Sequence, residues 1–174
     1  MTTAKKAAKR PLATATSAKT DATALLERDH AEVKKLFKEY EKLADAEADG
    51  EERQALAERI CAMLTVHATV EEEIFYPAAR SVLRGDDLAL VDEADVEHAS
   101  IKGLVGRIES SDLSDAHFDA FVTVLGEYVK HHVKEEENEL FPKLKRSELD
   151  MKAVGAELAT RKSELQRQPP HRVL

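Results

Sequence analysis

Apolar residues recur along this chain at steps of three and four, the spacing of one face of an α-helix. The first such series is Leu26, Val33, Phe37, Tyr40 and Ala44. It follows Thr20 and Asp21, both good N-caps, and predicts a helix to about residue 45. The second, Ile60, Leu64 and Ile74, begins after "ADGEE", and Pro77 is expected to kink or end it. The third, Val91, Ala94, Ile101, Val105 and Ile108, follows "RGDD". The fourth, Phe118, Val122, Leu125, Val129 and Leu140, starts at "SSDLSD" with Ser114 as its cap and runs toward Pro142. Short connections suit antiparallel neighbours, so the fold class is all-α, an up-down-up-down four-helix bundle. A fifth, more polar helix is expected over residues 150–166 on the outside of the bundle, and "RQPPHRVL" is expected to fray.

The stripes are not purely apolar. His30, His67, His98 and His132 each fall within one of the four series, and Glu71 and Glu136 follow His67 and His132 by one turn. A bundle turns these faces inward, so all six side chains point to a shared interior. One histidine on an apolar face is ordinarily a core residue with a satisfied ring. Four in four stripes, two with a glutamate four residues on, are a constellation. Without a cation the interior would bury two carboxylates and four imidazoles, at several kcal/mol per unpaired charge.

The two halves of the chain also repeat. "DHAEVK" at 29–34 matches "EHASIK" at 97–102, and "HATVEEEIFYP" at 67–77 matches "HVKEEENELFP" at 132–142. The histidines lie 37 apart in the first half and 34 apart in the second, a difference a loop absorbs. Helix four offers two overlapping choices, His131 with Glu135 and His132 with Glu136. Phase selects the second, because it continues the Leu125–Val129 stripe, and the ten-residue run to the proline agrees. By the same reasoning Glu71 is chosen over Glu72 and Glu73, which read as a solvated face. Residues four apart rise ~6 Å along a helix and share a face, so each His–Glu pair reaches one pocket.

Imidazole nitrogen and carboxylate oxygen suit iron, manganese or zinc. Glu71 and Glu136 can each bridge two ions, with His30 and His67 on one and His98 and His132 on the other. A bridging hydroxide or oxide would balance further charge, and six protein ligands leave coordination positions open. His117 and His171 read as surface residues, Cys61 as packing at the edge of helix two, and Tyr128 as a core-edge tyrosine within reach of His132.

Composition narrows the picture around this site. With 34% charged residues, 5% aromatics, no Trp, six Gly and five Pro, the 174-residue chain is helix-rich rather than sheet-rich. A single cysteine, Cys61, makes no internal disulfide, and no apolar run reaches the roughly 20 residues that cross a membrane. A cytoplasmic protein is expected. Residues 1–20 carry +5 and no acid, while the chain totals −8, so the remaining 154 residues carry −13. The first twenty read as a disordered basic arm, with weak non-specific contact to nucleic acid at most. Residues 21–146 then form the bundle domain, and 147–174 a C-terminal helix and tail.

The words "DHAEVK", "HATVE", "EHASIK" and "HVKEE", in that order on four helices, resemble the hemerythrin-like family of HHE cation-binding domains. The resemblance covers about residues 21–146. It implies a non-haem centre of two iron ions, oxo- or hydroxo-bridged and carboxylate-bridged, ahead of manganese or zinc. It also implies His30, His67, Glu71, His98, His132 and Glu136 as the ligands. Oxygen-carrying members have a second histidine four residues after the third-helix histidine; here that position is Lys102. The expected role is binding or sensing oxygen, peroxide or nitric oxide. Peroxide disproportionation, ferrous oxidation and iron storage or sensing stand as alternatives. A structural zinc site fits less well, because thiolate ligands are missing.

Overall fold

The computed structural model describes residues 21–46 and 50–167. The basic arm 1–20 and the end of the expected fraying tail, with His171, lie outside the described residues. Helix α1 spans Ala22–Asp45 and starts where the Asp21 carboxylate accepts hydrogen bonds from the Thr23 N–H and hydroxyl, at 2.9 and 2.7 Å. Helix α2, Gly50–Val70, carries Glu51 and Glu52 in its first turn, favourable at the positive end of the helix dipole. A π-helical turn, Glu71–Phe75, leads directly into α3, Tyr76–Val82. Helix α4 is Asp86–Glu109, and α5 is Phe118–Glu135. A second π turn, Glu136–Leu140, leads into α6, Phe141–Lys145. Helix α7, Met151–Arg167, is capped by Asp150, which accepts from the N–H groups of Lys152 and Ala153 at 3.1 and 3.0 Å.

Three sequence expectations are corrected here. Neither Pro77 nor Pro142 ends its helix. Each sits in the first two positions of the α-segment that follows a π turn, where a missing N–H costs little. The π turn closes just before it, with Tyr76 N–H bonded to Glu71 O and Phe141 N–H to Glu136 O, both five residues back. Ser114 does not cap α5. The carboxylates of Asp112 and Asp115 accept from the Ser114 and His117 N–H groups at 2.8 Å each, winding turns that delay the helix to Phe118. In α1, Leu36 takes the core position and Phe37 is half-buried. Phe37 lies over Gly126 of α5, where a Cβ would come within 3.1 Å of its ring.

The turn into α4 depends on Gly85, at φ 57° and ψ −134°, a region open essentially to glycine alone. A Cβ there would meet nothing within 4 Å, so a substitution acts through the backbone only. Gly85→Ala is expected to cost roughly 1–3 kcal/mol, read as a lower denaturant midpoint with an unchanged slope.

The four long helices form the antiparallel bundle, with α1 against α2 and α5, and α4 against α2 and α5. Two apolar clusters fill it. One gathers Leu26, Phe75, Tyr76, Leu140 and Phe141, and α7 adds Val154 and Leu158 to it from outside. The other gathers Val33, Leu64, Ile101, Leu125 and Val129. On α1, His30 falls between Leu26 of the first cluster and Val33 of the second, and His98 falls likewise between Ala94 and Ile101 on α4. The buried polar residues therefore form a layer between two hydrophobic bodies. Among the described residues no helix is long and apolar enough to cross a membrane.

Candidate metal centre

All six residues singled out from the stripes lie in that layer, each at most 7% exposed. The Nε2 atoms of His30 and His67 face each other at 3.1 Å, and those of His98 and His132 do the same at 3.1 Å. The two glutamates tie the pairs together. Glu71 Oε2 lies 3.2 Å from His67 Nε2 and 3.4 Å from His98 Nε2. Glu136 Oε2 lies 3.3 Å from His30 Nε2 and 3.6 Å from His132 Nε2. Ligand atoms of His30, His67, Glu71 and Glu136 lie within 4.8 Å of one another, as do those of Glu71, His98 and His132. Glu71 belongs to both groups.

Behind each ring stands a carboxylate. His30 Nδ1 meets Glu137 Oε1 at 2.9 Å, and His67 Nδ1 meets Asp29 Oδ2 at 3.3 Å. His98 Nδ1 meets Glu72 Oε1 at 3.0 Å, and His132 Nδ1 meets Glu97 Oε2 at 2.7 Å. A carboxylate can only accept, so each Nδ1 donates, and a neutral ring then presents its bare Nε2 lone pair to the centre. Cations hold the outer carboxylates in turn. Lys34 Nζ is 3.4 Å from Glu137, Lys102 Nζ is 2.8 Å from Glu72, and Lys162 of α7 pairs with Asp29.

These four carboxylates are what the sequence reading missed. Periodicity puts Glu72 on a solvated face; it instead anchors His98, because a residue beside the stripe still reaches a ring on the neighbouring helix. The signal was present in the repeat. Asp29 and Glu97 each precede a histidine, and Glu72 and Glu137 each follow a ligand-position glutamate. One further reading is corrected: Tyr128 is 47% exposed and lies on the surface. Cys61 packs as expected, fully buried in the second apolar cluster. Burial pushes the Cys61 thiol up to about 12, which leaves it inert.

The tyrosine inside the layer is Tyr76. Its hydroxyl donates to Glu136 Oε1 at 3.0 Å and lies 3.1 Å from His98 Nε2. The repeat places Phe141 at the equivalent position, and that ring stacks on His30 at 5.9 Å between centroids. Sequence phase could not find Tyr76, because the π turn adds a residue between it and Glu71. The same slip leaves Ile74, an expected core position, half-buried.

The donor set fits a cation. In neutral rings, two bare Nε2 atoms at 3.1 Å cannot bond to each other, and both Glu71 oxygens and Glu136 Oε2 are buried without a hydrogen-bond partner. Metal-free, the glutamates divide in behaviour. Burial, reinforced by the Glu136 charge, pushes the Glu71 carboxyl up to about 8. Burial also opposes ionisation of Glu136, but the His132 and His30 side chains outweigh it and bring that carboxyl to about 2. Geometry supports the assignment, since Tyr76 donates to Glu136 and nothing donates to Glu71. A carboxyl raised on folding stabilises most below its ordinary value of 4.5 and loses that contribution as pH rises to about 8. Thermal melts of the metal-free chain should therefore fall across that window, and Glu71→Gln should flatten the fall. An unchanged slope in the variant would refute the assignment.

Beneath the four histidines lies a cavity of about 20 Å³, lined also by apolar side chains including Leu64 and Val129. It has room for something the size of a water molecule.

A bundle whose interior holds a paired His/carboxylate layer defines a class, the four-helix metal-binding proteins. The hemerythrin HHE cation-binding domain matches residues 21–144, and the chain belongs to that family. A curated relative from Nostoc sp. (strain PCC 7120), described as a DNA nickase, is 33% identical over 118 residues, 67% of this chain. The match spans only 31% of that relative's length. A crystal structure of a hemerythrin HHE cation-binding domain-containing protein from Mycobacterium kansasii shares the fold at TM-score 0.68 and 21% identity. It covers 84% of this chain and 88% of that one.

Proposed function

We propose that this protein holds two iron ions in the His/Glu layer and binds or senses a small ligand there: oxygen, peroxide or nitric oxide. The observation that carries the reading is the sharing of Glu71 between two ligand groups, each built on a facing pair of Nε2 atoms. One ion would be held by His30 and His67, the other by His98 and His132, with Glu71 and Glu136 spanning both. Ferrous ions so held would supply open coordination positions and electrons for a small oxidant. The chain's own part is to fix the rings through Asp29, Glu72, Glu97 and Glu137, to exclude water with two apolar clusters, and to offer the small cavity beside the histidines.

Turnover of peroxide is a second reading, favoured by the Tyr76 hydroxyl, which holds a proton at Glu136 inside the dry layer. Burial, with the charges of Glu136 and Glu71, raises that hydroxyl well above its usual range, so it stays protonated. Any contact with nucleic acid is proposed for the basic residues 1–20 alone, since the other 154 residues carry −13. The nicking activity named for the Nostoc relative belongs to a protein of which this chain spans under a third.

Anaerobic loading with ferrous iron tests the main reading. Two irons per chain and an optical change on admitting oxygen are expected, and His98→Ala should hold fewer irons. Peroxide consumed over many turnovers would favour the second reading. One zinc per chain, or no metal after exposure to both ions, would sink both.

A further inference from the structure

The overlapping pair on α5, His131 with Glu135, lies out of phase with the buried stripe and takes no part in the centre. It does not point into solvent alone. His131 Nε2 lies 3.2 Å from Glu135 Oε1 and 3.4 Å from Glu97 Oε1, and the three ligand atoms fall within 4.8 Å of one another. His131 is 64% exposed, Glu135 32% and Glu97 23%, so the group is open to ions from water. Glu97 faces both ways. Its Oε2 anchors His132 Nδ1 at 2.7 Å while its Oε1 faces His131.

A crevice beside this group is lined by Glu97, Glu135, His132 and Glu136 together with the apolar Leu90, Ala94 and Leu140. Glu136 is 2% exposed, and its Oε2 has no hydrogen-bond partner. An unsatisfied buried carboxylate thus lies on the wall of a crevice that Glu97 and Glu135, two members of the outer group, also line. On the surface, a groove of about 380 Å³ lined by Glu97, Ser100, Tyr128 and His131 gives access.

The first half of the molecule lacks all of this. The repeat puts Val66 and Val70 where the second half has His131 and Glu135. The counterpart of Glu97 is Asp29, whose outward oxygen is taken by Lys162 of the covering helix α7. One half is closed by a cation and a helix; the other leaves the equivalent oxygen facing a histidine.

We propose that His131, Glu135 and Glu97 form an outer divalent-cation site from which the buried centre is loaded. Two carboxylates and an imidazole attract and partly dehydrate the ion. Its binding at Glu97 Oε1 draws that carboxylate away from His132, which frees the ring to turn toward the crevice. The loading role rests on the reading of the inner layer as a metal centre; the outer site does not.

The full chain, metal-free, serves for the test, with His131→Ala/Glu135→Gln as the variant and Glu135→Gln alone as a second. Neither residue is one of the six of the inner layer, and their ion pairs are with each other and, for His131, with Glu97, so both variants should melt like the parent. Cobalt(II) titration should find one weak site in the parent that the double variant lacks. Stopped-flow uptake of limiting ferrous iron should reach the same endpoint in both but slow at least about 10-fold in the double variant, the scale of electrostatic capture. Glu135→Gln should fall between them. Equal uptake rates would overturn the loading role, and equal cobalt stoichiometry would overturn the site. A lower inner endpoint would make His131 part of the centre and also overturn the proposal. If neither chain takes metal into the inner layer, the proposed function fails and takes the loading role with it, while the cobalt result still decides the outer site.

Discussion

Glu71→Gln should leave the metal-free chain about as stable as the parent below pH 4.5, make it more stable than the parent at neutral pH, and abolish its stabilisation by metal. Burial and the Glu136 charge keep the folded Glu71 carboxyl protonated up to about 8, so a neutral carboxamide of the same shape replaces a neutral acid there. In the unfolded chain the amide cannot ionise, so the parent's loss of stability above pH 4.5 disappears. The amide N–H can even donate to the bare Nε2 of His67 or His98, which lie 3.2 and 3.4 Å from the present oxygen. With metal the comparison reverses, because the shared anionic oxygen is gone. At a free metal concentration about 1,000-fold above Kd, binding contributes about 4 kcal/mol. For a chain of this size that is a Tm gain of roughly 10 °C, all of which the variant should forfeit. Glu136→Gln provides the contrast. Its carboxylate is ionised and accepts from Tyr76, so the same substitution should destabilise the metal-free chain as well. Paired melts with and without iron check both. A Glu71→Gln chain that keeps the full metal shift would show that Glu71 is not a ligand.

Phe141→Ala should cost about 3–5 kcal/mol, the usual range for emptying a buried aromatic site. The ring is fully buried, stacks on His30 at 5.9 Å and meets Phe75 edge-on at 5.5 Å. It fills the first apolar cluster and also forms the floor on which His30 rests. Phe141→Leu, which keeps much of the volume, should recover most of the stability but not the stacking. Urea unfolding measures the first effect, and iron affinity of the leucine variant the second. A loss below 1 kcal/mol for the alanine variant would mean that neighbouring side chains collapse into the space.

The fold was legible because each helix keeps one apolar face in strict phase, from Leu26 to Tyr40 and from Val91 to Ile108. The site residues were legible for the same reason, since they interrupt those faces without leaving them. Legibility stopped at Glu71 in the first half, although Leu140 beyond Glu136 is buried as its stripe predicts. Beyond Glu71 the π turn inserts one residue, so extrapolating the period picks Ile74 and misses Tyr76. Glu72, Asp29, Glu97 and Glu137 failed differently. They sit beside the stripe, where periodicity says solvent, and reach a ring that belongs to another helix. Such cross-helix partnerships are visible in one dimension only as an unexplained acid beside His30, Glu71, His98 and Glu136, the same positions in both halves.

The polar layer between the two apolar clusters also bears on how the molecule comes apart. In the metal-free chain that layer holds facing lone pairs and unpartnered oxygens, so it adheres poorly and separates two bodies that each cohere well. Amide exchange should then report two openings of unequal free energy, one for each end of the bundle. A cation gripping side chains from α1, α2, α4 and α5 at once would rivet the ends together. Filling the layer would thus turn two semi-independent folding units into one cooperative unit.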